Sequence, residues 1–233
     1  MKKKKVTPDA GFMNQRRQLL SEISSFSTKE AYRTLRTNIR FSLRGEGCKT
    51  FCITSSAQGE GKSITMVNLA ISFAEAGQKV LLIDADLRRP AIGRLLVEKA
   101  TPGLSNVLAG IATEEDVIRH SQYEGMDIIF SGDIPPNPAE LLGSERMAQL
   151  IETLSKRYDY ILVDTPPVNI VSDTCVIANM LDGVLLLERQ DKSRKENVKR
   201  AVDRLKLTGA NLLGCIFNGV PRENKTTYGY YNE

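Results

Sequence analysis

This 233-residue sequence has few residues that bind metals: it contains one histidine and four cysteines without a C-x-x-C pair, and it has no tryptophan. So few imidazole and thiol ligands leave almost nothing for a structural zinc site. No apolar run approaches the roughly 20 residues that a membrane-spanning helix needs. Polar residues, instead of an apolar signal core, follow the basic run Lys2 to Lys5. We therefore expect a reduced, cytoplasmic protein with Cys52 and Cys215 in core strands.

The charge of the chain sets further limits. Its net charge of +4 is modest, and no basic motif is interleaved with aromatic residues, so we expect no nucleic-acid partner. The run Lys2 to Lys5 could contact anionic lipid or an acidic partner, but a solvated tail is the interpretation we favour. A hydrophobic fraction of 41% beside 26% charged residues is typical of a globular domain with a solid core.

Apolar runs alternate with helical segments along most of the chain. This alternation predicts a doubly wound α/β fold of the P-loop NTPase type, with a mostly parallel sheet flanked by helices. The predicted strands are 50–54, 79–84, 127–130, 159–164, 183–187 and 212–217, and the predicted helices are 62–76, 139–156, 173–180 and 194–207. We expect a flexible basic or polar arm over 1–26, one domain over 27–222 and a tyrosine-rich tail over 223–233.

Local signals mark where several helices begin. Ser27-Thr28-Lys29-Glu30 matches a capping box and predicts a helix that carries Tyr32, Leu35, Ile39 and Leu43 on one face. Asn137 followed by Pro138 predicts the start of the helix 139–156. A second box, Ser193 to Glu196, precedes the helix 194–207, for which Gly209 is the expected stop.

The segment Ser55 to Ser63, S-S-A-Q-G-E-G-K-S, has the features of a phosphate-binding loop. The pattern G-x-x-x-x-G-K-[ST] asks for glycine at the place of Ser56, so the loop departs from the general form. Its glycines let backbone N–H groups converge on phosphate oxygens, while Lys62 can reach terminal phosphates and Ser63 can bind Mg²⁺. The predicted nucleotide-binding residues here are Gln58, Gly59, Glu60, Gly61, Lys62, Ser63 and Ile64.

Two other apolar runs end in acidic residues. L-L-I-D-A-D-L-R-R-P places Asp84 and Asp86 at the end of one, and I-L-V-D-T-P-P places Asp164 at the end of another. Asp84 or Asp86 could coordinate Mg²⁺ or accept a proton from a nucleophile. Asp164 could hold the metal directly or through water. Asn218, after the last run, either contacts adenine or forms a turn.

Together these strings resemble the Walker A, A′ and B motifs of bacterial tyrosine kinases, and P-P-N-P-A-E-L-L at 135–142 also resembles that family. The resemblance covers about residues 28–222, so that 27–222 would be the kinase domain. It is closest to the cytoplasmic capsular-polysaccharide type of Gram-positive bacteria, whose membrane adaptor is a separate polypeptide. One departure is Gln58, where the family usually has Pro.

The resemblance implies ATP and Mg²⁺ as cofactors. It implies that Lys62 stabilises the β- and γ-phosphates and that Ser63, Asp84 and Asp164 hold the metal. The implied catalytic residues are Lys62, Asp84, Asp86 and Asp164, with Asp86 the preferred base for a tyrosine hydroxyl. That phenol needs a positioned base, a nearby cation or both, because its pKa is ordinarily near 10.

The resemblance also implies an assembly. The cluster Tyr228, Tyr230 and Tyr231 would be phosphorylated by a neighbouring subunit. In the element E-x-x-R-x-x-R, Glu30 of one subunit would pair with Arg33 and Arg36 of the next and close a ring, an octamer in this family. Further implied partners are an activating cytoplasmic segment of the membrane adaptor, which recruits the chain to the inner face of the cell membrane, and a protein tyrosine phosphatase.

Three hypotheses follow for the function. The leading one is an ATP-dependent tyrosine autokinase that regulates capsule or exopolysaccharide synthesis or export. The second is a dimeric ATPase switch for partitioning or positioning, whose members carry a lysine five residues before the P-loop lysine, where this chain has Ala57. The third is a nucleotide-sensing scaffold of a polysaccharide export complex, against which the intact set of Lys62 and three aspartates argues.

Overall fold

A single mixed sheet forms the centre of the computed structural model, which describes residues 15–220. Its strands are β1 (Lys49–Ser55), β2 (Val80–Asp84), β3 (Ile118–His120), β4 (Met126–Ile129), β5 (Tyr160–Asp164), β6 (Gly183–Arg189) and β7 (Leu212–Asn218). They lie in the order β3-β4-β2-β5-β1-β6-β7, and all neighbours are parallel except β3 and β4. The predicted doubly wound, mostly parallel sheet is confirmed.

Helices cover both faces of this sheet. They are α1 (Phe26–Ser42), α2 (Lys62–Ala74), α3 (Ile92–Leu96), α4 (Leu104–Leu108), α5 (Glu114–Val117), α6 (Pro138–Leu142), α7 (Glu145–Ser155), α8 (Asp173–Ala178) and α9 (Lys195–Leu207). One buried cluster joins α1 and α2 to the sheet, and a second joins α7, α8 and α9 to its other face. Because both faces are covered, β1 is apolar at successive positions: Phe51 faces one cluster and Cys52 the other.

Helix α1 begins earlier than its capping box predicts. Ser25, and not Ser27, is the N-cap, and its hydroxyl accepts the Thr28 amide at 3.3 Å. The first residue of α1 is therefore Phe26. The predicted apolar face is nevertheless present, since Ile39 and Leu43 are buried and lie in the same cluster as the sheet.

Two other helix predictions need correction. The predicted helix 139–156 is two helices, because the chain turns at Gly143 and Ser144 caps α7 by accepting the Met147 amide. Helix α9 has Arg194 as its N-cap without a side-chain bond, so the box at Ser193 does not cap it. The Ser193 hydroxyl instead donates to Glu60 of the phosphate loop. Ser193 therefore supports the phosphate loop and does not cap α9.

The sheet edges differ from the expectation as well. Strand β7 lies at an edge, and Cys215 is exposed there, so the prediction that it is a core residue was wrong, whereas Cys52 is buried. At the opposite edge the short antiparallel β3 and the short helices α3, α4 and α5 were not predicted. Each has five residues or fewer, too short for a period to be recognised.

Part of the predicted flexible arm is packed against the domain. Leu19 and Leu20 are only 7% and 2% exposed and belong to the core. The amide of Asn68 on α2 holds them, accepting from the Leu20 N–H at 2.7 Å and donating to the Gln18 carbonyl at 2.9 Å. This segment therefore belongs with the domain. Within residues 15–220, no helix combines the length and apolar character needed to cross a membrane.

Candidate functional site

Three neighbouring parallel strands bring the predicted site residues to one edge of the sheet. Strand β1 leads through the loop 56–61 into α2, of which Lys62 is the first residue. In register, Asp84 at the end of β2 lies opposite Asp164 at the end of β5, and Asp164 also lies opposite Ile53 of β1. The structure thus places Lys62, Asp84 and Asp164 around the same loop.

The loop has a backbone shape that requires its two glycines. Gly59 and Gly61 have φ angles of +76° and +105°, in a region that other residues rarely adopt. A Cβ atom on Gly61 would also collide with the side-chain amide of Asn218. The second glycine therefore lets Asn218 approach the backbone, where its Nδ2 donates to the Glu60 carbonyl at 2.9 Å. Asn218 Oδ1 also accepts the Gly219 amide at 2.8 Å, as a turn-forming Asn does, so a contact with adenine stays a prediction.

The missing first glycine has a structural explanation. Ser56 does not have a positive φ angle, so glycine is not needed at this position. Its amide and hydroxyl both donate to the buried carboxylate of Glu188, at 2.9 Å and 2.6 Å. Serine thus adds a bond that glycine could not make, and anchors the start of the loop to the end of β6.

A second acid, Glu60, anchors the middle of the loop. Its side chain is fully buried and points toward the segment between β6 and α9, where Oε2 accepts the Arg189 amide and the Ser193 hydroxyl, the latter at 2.7 Å. Its other oxygen has no hydrogen-bond partner within the described structure. The predicted contribution of Glu60 to nucleotide binding can therefore come from its backbone, while its carboxylate holds the loop in place.

Buried charge dominates the electrostatics of the site. Lys62, Asp84 and Asp164 are 7%, 0% and 1% exposed. Burial lowers the pKa of the Lys62 amine, although Asp164 opposes this effect most among its neighbours. Burial raises the pKa of the Asp164 carboxyl to about 7, against the opposing influence of Lys62. Burial, and then the charge of Asp164, raises the pKa of Asp84 well above its ordinary value.

Several carboxylate oxygens at this edge lack partners. Among residues 15–220, both oxygens of Asp164 and Oδ1 of Asp84 are buried without a hydrogen bond of regular geometry. The Ser63 hydroxyl is close enough to lower the pKa of Asp164, although it makes no regular bond to it. Since buried polar atoms are normally satisfied, these oxygens fit a site that a bound cation completes.

The segment after β2 is held by two consecutive arginines. Arg88 forms a two-point ion pair with the fully buried Asp173 of α8, at 2.8 Å and 3.0 Å. Arg89 donates through its backbone N–H to Asp86 at 2.9 Å and through its guanidinium to the Gln58 side chain at 3.0 Å. Asp86 is less buried than Asp84 and faces the cavity beside the loop.

A large cavity opens over these residues. Its volume is about 1260 Å³, and Gly59, Lys62, Ser63, Asp86 and Asn218 are among the residues that line it. Drug-sized ligands occupy cavities of about 300–1,000 Å³, so there is space here for a nucleotide and part of a second substrate. The described residues include no group of three or more His, Cys, Asp or Glu that could hold a metal alone. A Mg²⁺ ion would therefore take further ligands from phosphate oxygens or water.

The residues predicted for oligomerisation lie away from the loop, on α1. Glu30 and Arg33 form an exposed ion pair within the helix at 3.4 Å. Arg36 is used inside the chain, where its guanidinium donates to the Ser72 carbonyl of α2. A role for these residues between subunits stays a prediction. The predicted phosphoacceptors Tyr228, Tyr230 and Tyr231 lie outside the described residues.

Sequence reasoning missed the groups that support the phosphate loop and the segment after β2, chiefly Glu188, Lys192, Arg88 and Asp173. Glu188 could have been found, because it follows the apolar run of β6 as Asp164 follows that of β5. Lys192 donates to the Gln58 carbonyl at 2.6 Å and lies on an irregular segment. Its pairing with the loop depends on tertiary structure, for which the sequence carries no local signal.

The fold and the loop define a P-loop nucleotide-binding protein, and comparisons with known proteins narrow that class. A family model described as an AAA domain matches residues 48–188. The tyrosine-protein kinase YwqD of Bacillus subtilis is 42% identical over 202 residues, 87% of this chain and 85% of that protein. The chain belongs to the bacterial tyrosine-protein kinase family, and it is a protein-tyrosine kinase.

Solved structures agree with this assignment. The chimerical protein CapA2B2 is 35% identical, with a TM-score of 0.82 over 87% of this chain and 88% of that one. The kinase domain of the Escherichia coli tyrosine kinase ETK is 39% identical, with a TM-score of 0.81 over 88% of this chain and 80% of that one. The septum site-determining protein MinD of Pyrococcus horikoshii, solved with Mg-ADP, is less similar, at 26% identity and a TM-score of 0.62 over 73% of this chain and 70% of that one.

Proposed function

We propose that this chain transfers the γ-phosphate of ATP to the tyrosines of its own tail, Tyr228, Tyr230 and Tyr231. The observation that carries the proposal is the group of Lys62, Asp84 and Asp164, buried together around a phosphate loop with carboxylate oxygens lacking partners. A buried cation beside a phosphate loop fits a polyphosphate ligand, and unsatisfied carboxylates fit a bound divalent cation.

Each residue has a distinct role in this proposal. Lys62 neutralises charge on the β- and γ-phosphates, and Gly59, Gly61 and Ile64 present backbone N–H groups to them. Ser63, Asp84 and Asp164 would hold Mg²⁺. When bound, Mg²⁺ would supply further neutralisation of phosphate charge. Gln58 and Glu60 shape the loop, and Asn218 contacts the adenine base.

Asp86 is the better candidate for the catalytic base. Asp84 is fully buried and Oδ2 already accepts the Ile92 amide at 3.1 Å, so a tyrosine side chain cannot readily reach it. Asp86 lines the cavity and is partly exposed. In the proposed step the tyrosine oxygen bonds to the γ-phosphorus, the bond from that phosphorus to the bridging oxygen of ADP breaks, and Asp86 accepts the phenolic proton.

The proposed reaction takes place between subunits of a ring, by family resemblance an octamer closed by Glu30, Arg33 and Arg36. The exposed position of Glu30 and Arg33 supports this role, because charges that contribute little to the folded subunit are available to a neighbour. We further propose a cytoplasmic location, recruitment to the inner membrane face by an adaptor whose cytoplasmic segment activates the kinase, and reversal by a tyrosine phosphatase. The regulated process is capsule or exopolysaccharide synthesis or export.

A complementation experiment tests the proposal. One chain carries Lys62→Met with its tail intact, and a second is active but has Tyr228, Tyr230 and Tyr231 replaced by Phe. After incubation with ATP and Mg²⁺, intact mass spectrometry should show phosphate additions on the Lys62→Met chain only when the two are mixed. Both chains are purified from cells without another tyrosine kinase, with an adaptor segment supplied in one arm. Tail phosphorylation of the Lys62→Met chain alone would refute the proposal.

The ATPase switch remains the alternative. The fold shared with MinD favours it, while Ala57 at the place of the extra loop lysine counts against it. The same mass measurement separates the two functions. Steady ATP hydrolysis that a partner stimulates, without any mass increase on the tail, would favour the switch.

A further inference from the structure

Gln58 of the phosphate loop contacts two other segments of the chain. Its side-chain Oε1 accepts from the Arg89 guanidinium at 3.0 Å, and its carbonyl accepts from the Lys192 amine at 2.6 Å. The first contact comes from the segment that follows β2, and the second from the segment between β6 and α9. Gln58 therefore joins three separate parts of the chain at the rim of the cavity.

Arg89 connects this contact to Asp86. Its backbone N–H donates to Asp86 Oδ1 at 2.9 Å, while its side chain reaches Gln58. Arg88 anchors the same segment on the other side through its ion pair with Asp173. The side chains of these two consecutive arginines thus fix the segment on one side to a buried carboxylate and on the other to the loop that would hold the phosphates.

We propose that Gln58 and Arg89 form a positioning link that sets the place of Asp86 relative to the phosphate loop. Lys192 donates to the Gln58 carbonyl and so fixes the backbone that carries the Gln58 side chain. Neither Gln58 nor Arg89 performs chemistry in this proposal. Since a small displacement of a reacting group lowers the rate strongly, a loose link lowers catalysis without preventing nucleotide binding.

The test replaces the Gln58 side chain in the full-length kinase. Gln58→Leu removes the acceptor at similar volume, and Gln58→Glu keeps an acceptor for the guanidinium. Gln149→Leu is the matched control, because Gln149 is also exposed and also makes a side-chain bond, to Glu145 on α7. We expect Gln58→Leu to lower kcat for tyrosine phosphorylation by roughly threefold to tenfold, as expected for the loss of one hydrogen bond.

The conservative variant and a double variant make the result specific. We expect KM for ATP to change less than about twofold in Gln58→Leu. The substitution leaves Lys62 and the backbone N–H groups of the loop, which would bind the phosphates, unchanged. Arg89→Lys, which keeps a cationic donor for Gln58, should keep more of the activity than Arg89→Ala. Arg89→Ala combined with Gln58→Leu should be no slower than the slower single variant, since both remove the same link. Equal activity of Gln58→Leu and Gln149→Leu, or equal losses in Arg89→Lys and Arg89→Ala, would overturn the proposal.

Hydrogen exchange tests the link independently of catalysis. The inference depends on the proposed role of Asp86 only for its effect on rate, whereas the exchange of the Arg89 amide reports directly on its bond to Asp86. Without nucleotide, we expect faster exchange over residues 84–92 in Gln58→Leu and unchanged exchange in Gln58→Glu and Gln149→Leu. Unchanged exchange in Gln58→Leu would overturn the link even if the kinase were active. Faster exchange without a change in kcat would refute the role of the link in catalysis.

Discussion

The carboxyl edge of the central strands and the exposed face of α1 both carry charged residues, but in opposite settings. At the edge, Lys62, Asp84 and Asp164 are buried, and carboxylate oxygens lack hydrogen bonds. On α1, the side chains of Glu30 and Arg33 are about half exposed and pair with each other. Buried unpaired charge costs stability, so its presence at the edge points to a ligand. Exposed pairs add little, so any importance of the Glu30–Arg33 pair must come from outside the subunit.

The largest expected effect is on catalysis at the buried edge. Lys62→Met should lower phosphotyrosine formation by at least about 100-fold, because it removes a preorganised cation from the site of phosphate charge. Quantitative mass spectrometry of the tail, beside circular dichroism of the fold, measures this. Lys156→Met, just after α7, is the control, since Lys156 is exposed and pairs with the equally exposed Glu152. A variant folded like the parent and keeping more than about a tenth of its activity would contradict the assigned role.

The next effect concerns stability at the same edge. Arg88→Met should lower the free energy of unfolding by about 2 to 3 kcal/mol, because it leaves the buried Asp173 without its partner; the estimate is reduced because Arg88 is partly exposed. Arg157→Met is a close control, because Arg157 has the same 41% side-chain exposure but its partner Glu115 is 69% exposed, against 0% for Asp173. Urea unfolding should show a clearly smaller loss for it. Equal losses would show that burial of the acid is not decisive.

A third prediction uses pH to detect the buried acid. The folded chain raises the pKa of Asp164 from 3.8 to about 7. The folded state therefore binds this proton more tightly than the unfolded state, and wild-type stability falls as pH rises through that range. The amide of the Asp164→Asn variant does not titrate. The stability of this variant relative to wild type should therefore increase between about pH 5 and pH 8 by roughly 1 to 2 kcal/mol.

Thermal unfolding in EDTA without nucleotide measures this difference. The Lys62 amine and the Asp84 carboxyl face Asp164 and respond to its charge, so the change with pH is the quantity to compare, not the stability at one pH. Asp203→Asn on the exposed side of α9 serves as the control. Parallel pH profiles for Asp164→Asn and the parent would show that the Asp164 carboxyl does not titrate in this range.

The contrast between these regions also explains how far the sequence could predict the structure. The sheet and the convergence of Asp84 and Asp164 followed from apolar runs ending in acids, since parallel strands share an edge. Ser193 shows the limit: its spacing to Glu196 matches a capping box, but its hydroxyl binds Glu60, far away in sequence. The segment with Leu19 and Leu20 was missed because two apolar residues without a period give no signal.

The smallest expected effect on stability lies on α1. Glu30→Ala with Arg33→Ala should change the free energy of unfolding by less than about 0.5 kcal/mol, because the pair is exposed and lies within one helix. If these charges close a ring, the same variant should reduce the oligomer mass, measured by light scattering, to that of a monomer.

Arg36→Ala is a useful contrast, since its guanidinium contacts the Ser72 carbonyl and its loss should cost about 1 kcal/mol. An unchanged mass in the variant that combines all three substitutions would count against the ring. A smaller mass with unchanged unfolding in the double variant would place the action of Glu30 and Arg33 between subunits.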